Sequence, residues 1–470
     1  MKSKFAALAL LFAALFTMVS CLESSDSGYT YTDDSALSSF TVNTAKRYLY
    51  TKSSKGEDSL YTEEVTLDSY KFYIDQANRK IYNPDSLPCG VDARKLLCTV
   101  SAYSGTALIK NVDSDTLNYI NSSDSIDFSV PREIQVVSTS GQGLRKYEVE
   151  VRVHKELPDS FYWKEMPECE LMRGFTGVKV VALDGGRLLM LGSDGEGTDL
   201  LVNENGAWRT AVTNWNHRLA AEAYRGVVTK DGRAYLSDGG DIMSTADGEE
   251  WTVTGQATGI TRLVAASIAR LYGYSADGRL MASADNGATW TVATIDDELT
   301  LLPDGETSYT TIKSETNKNT ERVLLVGTRA DNSQMLIWGK VDEAGYSDES
   351  QPWSFFNPTS DNKHRLPNVE NVSVVKYDSA VWVLGNEADK AATFYKTTDG
   401  GITWSADTVL VAPDGIGVAP AAARQAGGNA YSLCVDGDSF LWMVDTKSGK
   451  TWRGRANRLG WKKEQTDFEE

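Results

Sequence analysis

One short segment of this chain combines side chains that suit ligand binding. Asn214, Trp215, Asn216, His217 and Arg218 are consecutive, and no strand-like or helix-like pattern of apolar residues includes them. A Trp ring offers a flat apolar face, and neighbouring amides and guanidinium groups can hydrogen-bond to hydroxyls or peptide groups. Trp215, His217 and Arg218 are therefore the predicted ligand-binding residues, for a sugar or a peptide. The alternative is that the Trp215 ring is packed inside the protein.

Residues that catalyse reactions or hold metals are sparse by comparison. The three histidines, His154, His217 and His364, are far apart, and no H-E-x-x-H, C-x-x-C, P-loop or G-x-S-x-G pattern occurs. Asp-rich stretches at 193–199 and 436–438 carry the oxygen ligands that Ca²⁺ prefers, but turn formation alone accounts for them. Acidic residues are too numerous for any pair to mark a glycosidase. We therefore predict no catalytic residue, no metal and no cofactor.

Two copies of one motif indicate the elements that would position the Trp215 segment. Residues 283–290 and 397–404 both follow the pattern S/T-x-D-x-G-x-x-W, between strand-like stretches. The Asp and Ser/Thr side chains can accept hydrogen bonds from turn N–H groups. The Gly supplies the positive φ of a reversal, and the Trp ring can be buried against a neighbouring sheet. The predicted structural residues are Ser283, Asp285, Gly287 and Trp290 in the first copy, and Thr397, Asp399, Gly401 and Trp404 in the second.

Three looser copies extend this repeat. Five related matches that all end in Trp favour a repeat over a set of unrelated hairpins. The looser copies are residues 245–251, which contain Asp247 and end at Trp251; residues 446–452, which lack the Asp and end at Trp452; and residues 203–208, which keep only a turn and Trp208.

The spacing of these tryptophans predicts the number of blades. With Trp353 included, they recur about every 40 to 60 residues, the period of a four-stranded propeller blade. Six blades follow. Trp163 could mark a seventh, but too few residues follow Trp452 to complete it. Residues 161–166 are instead expected to enter or close the ring.

The repeated motif resembles the Asp-box of bacterial sialidase-type and sortilin-type β-propellers. That resemblance implies a propeller over residues 160–465, with ligands bound at loops around a central funnel. It also implies sialidase activity as an enzymatic alternative, which needs three arginines around a carboxylate and a Tyr activated by a Glu. The first arginine of that family lies in an F/Y-R-I-P motif, whereas residues 172–175 are Met-Arg-Gly-Phe. The other candidate arginines are scattered, at Arg225, Arg262, Arg329 and Arg424.

Residues 37–156 show short alternating strands separated by turn signals. In one of them Tyr147, Val149, Val151 and Val153 alternate with charged residues, which indicates a strand with one buried face. About 120 residues of such strands predict an antiparallel sandwich. The part from residue 126 onward resembles the bacterial Ig-like modules that precede catalytic or binding domains in gut-bacterial surface proteins. We expect this domain to act as a spacer.

The N-terminus has the features of a lipoprotein signal. Lys2 and Lys4 precede an apolar run that ends in Met-Val-Ser-Cys. This end resembles a bacterial lipobox, which implies removal of residues 1–20 and lipidation of Cys21; a plain secretory signal is the alternative. The acidic, Ser-rich residues that follow resemble the surface-export signal of Bacteroidetes lipoproteins. Residues 21–36 are predicted to be a flexible tether, with the lipid as the only membrane anchor.

The net charge of the chain limits the kinds of partner it can bind, and its cysteines raise the question of disulfide bonds. The net charge of −18 argues against a nucleic-acid partner, because phosphates would be repelled. An extracytoplasmic location permits disulfides. Cys89 and Cys98 lie close enough in sequence to pair, but Cys89, Cys98, Cys169 and Cys434 could equally be unpaired.

These features predict an all-β protein with an Ig-like β-sandwich followed by a six-bladed, or alternatively seven-bladed, β-propeller. The whole chain resembles a family of uncharacterised Bacteroidetes lipoproteins with this domain order. The expected function is non-catalytic capture of a glycan or protein partner, at the cell surface or the periplasm-facing side of the outer membrane. The alternative is a carbohydrate-active hydrolase, which three clustered arginines or paired carboxylates at one mouth of the propeller would favour.

Overall fold

The structure is a computed structural model that describes residues 31–52, 58–256, 259–330, 334–346, 351–356, 362–388, 390–416 and 431–460. Cys21, the predicted signal and Arg424 lie outside these residues. The chain divides into two compact units, Met1–Leu157 with Trp461–Glu470, and Pro158–Gly460. Within the described ranges, no helix is long and apolar enough to cross a membrane.

The described strands of the first unit form two sheets. One has the order β2-β1-β5-β8 and the other β3-β4-β10-β9-β6-β7; β4 and β10 are parallel. The strands are β1 (Leu37–Lys52), β2 (Asp58–Thr66), β3 (Tyr73–Asp75), β4 (Lys80–Tyr82), β5 (Leu96–Ala102), β6 (Thr106–Lys110), β7 (Leu117–Tyr119), β8 (Ser125–Ile126), β9 (Arg132–Val137) and β10 (Leu144–Glu150).

Alternating apolar residues build one core between these two sheets. Ile134 on β9 and Tyr147 and Val149 on β10 are buried, and they share a cluster with Phe40 and Val42 from β1 of the other sheet. Period-2 alternation places these side chains on one face of each strand. The unit is therefore a two-sheet sandwich, and its Ig-like topology stays a prediction.

The end of the predicted tether is bonded to this first unit. The Thr32 N–H donates to Thr139 Oγ1 at 3.1 Å, and Ser140 Oγ donates to Asp33 Oδ1. Ser35 and Ala36 are buried. The predicted tether of residues 21–36 is thus too long, because its polar composition did not reveal hydrogen-bond partners more than a hundred residues away.

The second unit is built from strands and short 3-10 helices, the latter at Glu170–Gly174, Asp184–Gly186, Ala223–Gly226, Leu299–Leu301 and Asn457–Gly460. Its strands are β11 (Phe161–Glu165), β12 (Gly177–Ala182), β13 (Leu188–Ser193), β14 (Gly197–Glu204), β15 (Ala207–Thr210), β16 (Leu219–Ala220), β17 (Val228–Lys230), β18 (Arg233–Asp238), β19 (Asp241–Thr245), β20 (Trp251–Gln256), β21 (Ile260–Ala266), β22 (Leu271–Ser275), β23 (Leu280–Ser283), β24 (Thr291–Val292), β25 (Thr307–Lys313), β26 (Thr320–Thr328), β27 (Met335–Glu343), β28 (Ser354–Phe355), β29 (Glu370–Tyr377), β30 (Ala380–Asn386), β31 (Thr393–Thr397), β32 (Ser405–Ala406), β33 (Tyr431–Val435), β34 (Leu441–Asp445) and β35 (Lys450–Ala456).

In the described residues these strands form six sheets, arranged as a closed ring. Five are consecutive in sequence: β12 to β15 with β16 beside β14, β17 to β20, β21 to β24, β25 to β28, and β29 to β32. The sixth has the order β33-β34-β35-β11. The first strands of successive sheets pack side by side, and β33 packs against β12. The ring therefore closes through β11, which pairs antiparallel with β35 although it comes from the other end of the unit.

This closure corrects the assignment of residues 446–452. Their turn joins β34 to β35, the second and third strands of the last sheet, and Trp452 lies on the third strand. The motifs at 283–290 and 397–404 join the third strand to the fourth. In the last sheet the fourth strand is β11, so Trp163 is the tryptophan on that strand. No continuous motif can span this junction, because the two strands are not adjacent in sequence.

The Asp turns are held by their own side chains. Asp399 Oδ1 accepts the N–H groups of Ile402 and Thr403, both at 3.0 Å, and the Thr397 hydroxyl at 2.8 Å. Its Oδ2 accepts the Thr403 hydroxyl at 2.6 Å, and Trp404 Nε1 donates to the Gly401 carbonyl. Both carboxylate oxygens of Asp399 are therefore hydrogen-bonded within the turn.

The other two turns repeat this bonding. Asp285 accepts the N–H and hydroxyl of Thr289 and the hydroxyl of Ser283. Asp247 accepts two N–H groups, each at 2.9 Å. Gly287 has φ of +96°, and a Cβ there would collide with Ile242 of the preceding sheet, so the turn requires Gly both for its backbone and for its packing.

The tryptophans that follow these turns differ in burial. Trp251 and Trp404 are 3% and 4% exposed, whereas Trp290 is only half-buried, which departs from the expectation of a buried ring. The backbone N–H of Trp404 also donates to the His364 carbonyl, in the described part of the connection that precedes β29.

Replacing Asp399 by alanine should destabilise the second unit by about 1–3 kcal/mol, because two N–H groups and two hydroxyls lose their acceptor. Burial by itself raises the pKa of Asp399, but hydrogen bonds from Thr403, Thr397 and Ile402 outweigh it and lower this pKa to about 2. The stabilisation is therefore present above the ordinary Asp pKa and is lost as the pH falls towards 2.

Denaturant unfolding at pH 7 and at pH 2 measures both parts of this prediction. Asp414→Ala is the matched control, since Asp414 is exposed and the described structure gives its side chain no hydrogen bond. Equal stability of the two variants at pH 7 would contradict a structural role for Asp399.

Candidate functional site

Trp215 lies on the connection between the first and second sheets, residues 211–227. The neighbouring Asn214 fixes this segment: its Nδ2 donates to the Trp251 carbonyl at 2.9 Å, and its Oδ1 accepts the Trp251 N–H at 3.0 Å. The Trp215 ring packs on the buried Trp251 ring with centroids 5.2 Å apart. Because Trp215 is half-buried, one part of the ring is anchored and the rest is exposed to solvent.

His217 lies next to this ring, with centroids 5.8 Å apart. Its Nε2 is 2.5 Å from Asp238 Oδ2, and half of its side chain is exposed. Trp215, His217 and Asp238 thus form one exposed polar and aromatic patch, which we call the Trp215 surface. The structure thus places Trp215 and His217, two of the three predicted ligand-binding residues, next to each other.

Arg218 is placed differently. Its Nε and Nη2 donate to the two carboxylate oxygens of Asp199, each at 2.8 Å, and Nη2 also donates to Asp194 at 2.8 Å. The side chain covers Gly197, where a Cβ would lie 2.7 Å from Arg218 Cδ. Arg218 therefore clamps the β13–β14 turn, and we do not place it among the ligand contacts.

The two Asp-rich stretches are used as turns. The bond from Arg218, with the N–H groups of Gly197 and Glu196, lowers the pKa of Asp194 to about 2. Asp436 accepts two N–H groups and, at 2.7 Å, the indole N–H of Trp442. In the part of the chain that the structure describes, no group of three or more His, Cys, Asp or Glu side chains is arranged to hold a metal ion.

The four cysteines among the described residues, Cys89, Cys98, Cys169 and Cys434, are free, so Cys89 and Cys98 do not pair. Burial raises the pKa of Cys98 to about 12 and also raises those of Cys169 and Cys434. A thiol that stays protonated is a poor nucleophile, and we assign none of these residues a catalytic role.

The ring of first strands encloses a central channel that the sequence analysis did not single out. Its cavity is about 590 Å³, within the range of small-molecule sites. Lys179, Lys313 and Lys376 line it together with several Ser and Thr side chains, and no described lining residue is an Asp or Glu. The sequence feature that could have indicated this channel is Lys179, the single charged residue in the otherwise apolar strand β12.

Serine hydroxyls link the neighbouring first strands around this channel. The N–H groups of Val374, Leu433 and Val180 donate to the Oγ atoms of Ser308, Ser373 and Ser432, each at 3.0 Å. On β29 and β33, the residue that donates its N–H is directly preceded by the serine of that strand, Ser373 or Ser432. On β12 the donor is Val180, and the residue before it is Lys179. Lys179 therefore occupies the position that serine occupies on those two strands.

The Lys179 ammonium lies near one mouth of the channel. Its Nζ is 3.5 Å from the Arg225 carbonyl and 5.9 Å from the centre of the Tyr309 ring. The Tyr309 hydroxyl crosses to β17, where it accepts the Thr229 N–H at 2.7 Å. Burial, followed by repulsion from Arg262, lowers the pKa of Lys179 to about 8.

Two of the scattered arginines meet at this mouth. Burial lowers the pKa of Arg262, and Arg225 is close enough to lower it further. Arg329 instead donates to the Thr300 carbonyl, and Arg173 is paired with Glu168. The described residues thus bring together two arginines and Lys179, rather than the three arginines that the sialidase hypothesis requires.

Two carboxylates also lie near this mouth. Burial raises the pKa of Glu306, and the nearby Glu370 raises it further. Glu306 Oε2 accepts the Val372 N–H at 3.1 Å, a bond that ties the fourth sheet to the fifth. Among the described residues near the channel mouth, this pair resembles an acid–base couple.

Comparisons with known proteins agree with this architecture. Residues 157–464 match the family described as the DUF6242 beta propeller domain, and residues 40–151 match the DUF6242 N-terminal domain, a domain of unknown function. No curated protein matches the chain.

Solved structures that resemble the chain include three with low identity. A protein of unknown function from Bacteroides thetaiotaomicron is 10% identical, with a TM-score of 0.41 over 77% of this chain and 94% of its own. The Aleuria aurantia lectin, a six-bladed β-propeller, is 10% identical, with a TM-score of 0.35 over 59% and 91%. The GH93 α-L-arabinofuranosidase of Fusarium graminearum is 12% identical, with a TM-score of 0.36 over 63% and 98%. On the match that covers residues 157–464, the chain belongs to the DUF6242 beta propeller domain family, preceded by the DUF6242 N-terminal domain.

Proposed function

We propose that this protein is a lipid-anchored binding protein of the cell envelope, whose six-bladed propeller captures a glycan or a protein partner without catalysis. The observation that carries the proposal is the half-buried Trp215 ring, which packs on the Trp251 ring while the neighbouring Asn214 bonds to the Trp251 backbone. A ring fixed in this way loses little conformational freedom when a ligand stacks on it.

The location in the cell is part of the same proposal. The apolar run and the Met-Val-Ser-Cys end at Cys21 support a lipid anchor at the outer membrane. The acidic residues that follow support export to the cell surface, and the sandwich would then hold the propeller away from the membrane. A net charge of −18 supports a partner other than nucleic acid.

Trp215→Ala tests the binding surface. On arrays of glycans and of candidate proteins, we expect the variant to lose about tenfold or more of the affinity for whatever the wild type captures. Its stability should fall by only about 1–2 kcal/mol, because the ring is half-buried.

Trp290→Ala is the matched control for this experiment. Trp290 is also half-buried, but it lies on a turn between third and fourth strands rather than on the 211–227 connection. We expect this variant to bind like the wild type. Unchanged binding by Trp215→Ala, or equal losses in both variants, would contradict the assignment of the Trp215 surface.

A carbohydrate-active hydrolase is the second candidate, and Glu306 with Glu370 is the observation that favours it. A carboxyl group with a raised pKa suits a general acid, and a neighbouring carboxylate suits a base or nucleophile. Turnover of nitrophenyl glycosides by the wild type, and its loss in Glu306→Gln with binding retained, would support the hydrolase over the non-catalytic protein.

A further inference from the structure

The charge of the central channel is opposite to that of the protein. The chain carries a net charge of −18, yet the described channel lining contains three lysines and no carboxylate. The balance of charged side chains in this lining is thus the reverse of that in the whole chain. Cationic side chains that line a cavity favour the binding of anions.

Lys179 has no described contact with a carboxylate. Its described contacts are a 3.5 Å approach to the Arg225 carbonyl and the Tyr309 ring face. The side chain is half-buried, and an ammonium that loses part of its hydration without gaining an anionic partner is destabilised. Serine fills the equivalent position in three other sheets and bonds the neighbouring strand. Ring assembly alone therefore gives no reason for a lysine here.

The surroundings of Lys179 would suit a small sugar ring. The Tyr309 ring offers an apolar face, and the hydroxyls of Thr229, Thr307 and Ser308 line the same cavity and can donate or accept hydrogen bonds. At about 590 Å³, the cavity has room for a ligand of this size.

We propose that the central channel binds the carboxylate of an acidic sugar, with Lys179 as its charged contact. The site is separate from the Trp215 surface and goes beyond the proposed capture of a glycan or protein. At the mouth that the ligand would enter, Arg225 is paired with Glu222, Arg262 lies beside Arg225, and Glu306 lines the same opening, so Lys179 is the charged group at this mouth that faces the channel itself.

D-glucuronate is the probe that tests this site, and D-glucose is its neutral match. Calorimetric titration of the full-length protein should show binding of glucuronate, weakening as salt is raised, and no comparable binding of glucose. Lys179→Met should lower the affinity for glucuronate by about 10- to 100-fold, the loss expected when a charged hydrogen bond is removed. Lys164→Met, a change at an exposed lysine on β11, should bind glucuronate like the wild type.

The pH dependence gives a second readout. Because the pKa of Lys179 is lowered to about 8, the affinity for glucuronate should fall between pH 6.5 and pH 9.5. The other groups near its ammonium are the Arg225 carbonyl, the Arg262 guanidinium, Tyr309 and, at the mouth, the Arg225 and Glu306 side chains, which line the same opening. Burial holds the pKa of Tyr309 above its ordinary value, so this phenol should stay neutral over most of that interval.

Three outcomes would overturn the proposal: no glucuronate binding by the wild type, equal binding of glucose, or unchanged affinity in Lys179→Met. If Lys179→Met does not fold, thermal stabilisation of the wild type by glucuronate but not by glucose decides the question. Trp215→Ala should still bind glucuronate, so failure of the Trp215 surface and failure of the channel site are distinguishable.

Discussion

Replacing Trp404 by alanine is expected to lower the free energy of unfolding of the propeller by about 3–5 kcal/mol, as for other large aromatic deletions in cores. The ring is 4% exposed and lies in a cluster with Leu324 and Val326 of the fourth sheet and Val383 of the fifth. Its removal would leave a cavity between two sheets and an unpaired Gly401 carbonyl. Denaturant unfolding of the full chain gives the measurement.

Trp290→Ala is the control for this prediction, because it removes the same side chain from the same position of the motif. Trp290 also donates its indole N–H to a glycine carbonyl but is half-buried, so we expect a loss of about 1–2 kcal/mol. A loss in Trp404→Ala no larger than in Trp290→Ala would contradict the view that burial between sheets decides the contribution of these tryptophans.

Asp342→Ala is expected to destabilise the propeller by a similar amount, about 3–5 kcal/mol, because it removes a carboxylate that is bonded to a buried cation and to two buried hydroxyls. Asp342 pairs with Arg270, and both side chains are 3% exposed. Its Oδ2 also accepts the hydroxyls of Ser267 at 2.6 Å and Tyr272 at 2.7 Å. This network joins the turn after β21 to β27, and thus the third sheet to the fourth.

The double variant Arg270→Met/Asp342→Leu separates the cost of removing Asp342 from beside the Arg270 cation from the stabilisation that the ion pair itself gives. Replacing both members of a buried ion pair by apolar residues often costs little, so we expect the double variant to recover part of the stability lost in Asp342→Ala. A double variant less stable than Asp342→Ala would show that the pair itself stabilises the junction of the two sheets.

The repeat was visible in the sequence because turn chemistry is local. Asp285 and Asp399 bond to groups within four residues, so their spacing carries the whole signal. The closure of the ring by β11 was harder to predict from the sequence, because it pairs residues nearly 300 positions apart. In addition, Trp452 follows a sequence similar to the motif, but at a turn between the second and third strands. The difference in burial between Trp290 and Trp404 was also not predictable, because the two residues occupy the same position of the same motif.

The candidate site was predictable only in part. Trp215 stood out because a Trp without an apolar pattern is unusual, and its neighbour Asn214 proved to be the anchor. The sequence suggested that Arg218 contacts a ligand, but it pairs with Asp194 and Asp199. These partners come close to Arg218 only because β14 pairs with β16, which the sequence did not show. The channel was missed because its lysines come from three different first strands that only the closed ring brings together.

Hydrogen–deuterium exchange with the strongest array ligand tests the central claim most directly. If the propeller captures its partner at the Trp215 surface, ligand should slow exchange in residues 211–227 and at the β18–β19 turn next to Asp238, and leave the N-terminal unit unchanged. Protection confined to the N-terminal unit, or to the third-to-fourth-strand turns at 283–290 and 397–404, would contradict this account of the protein.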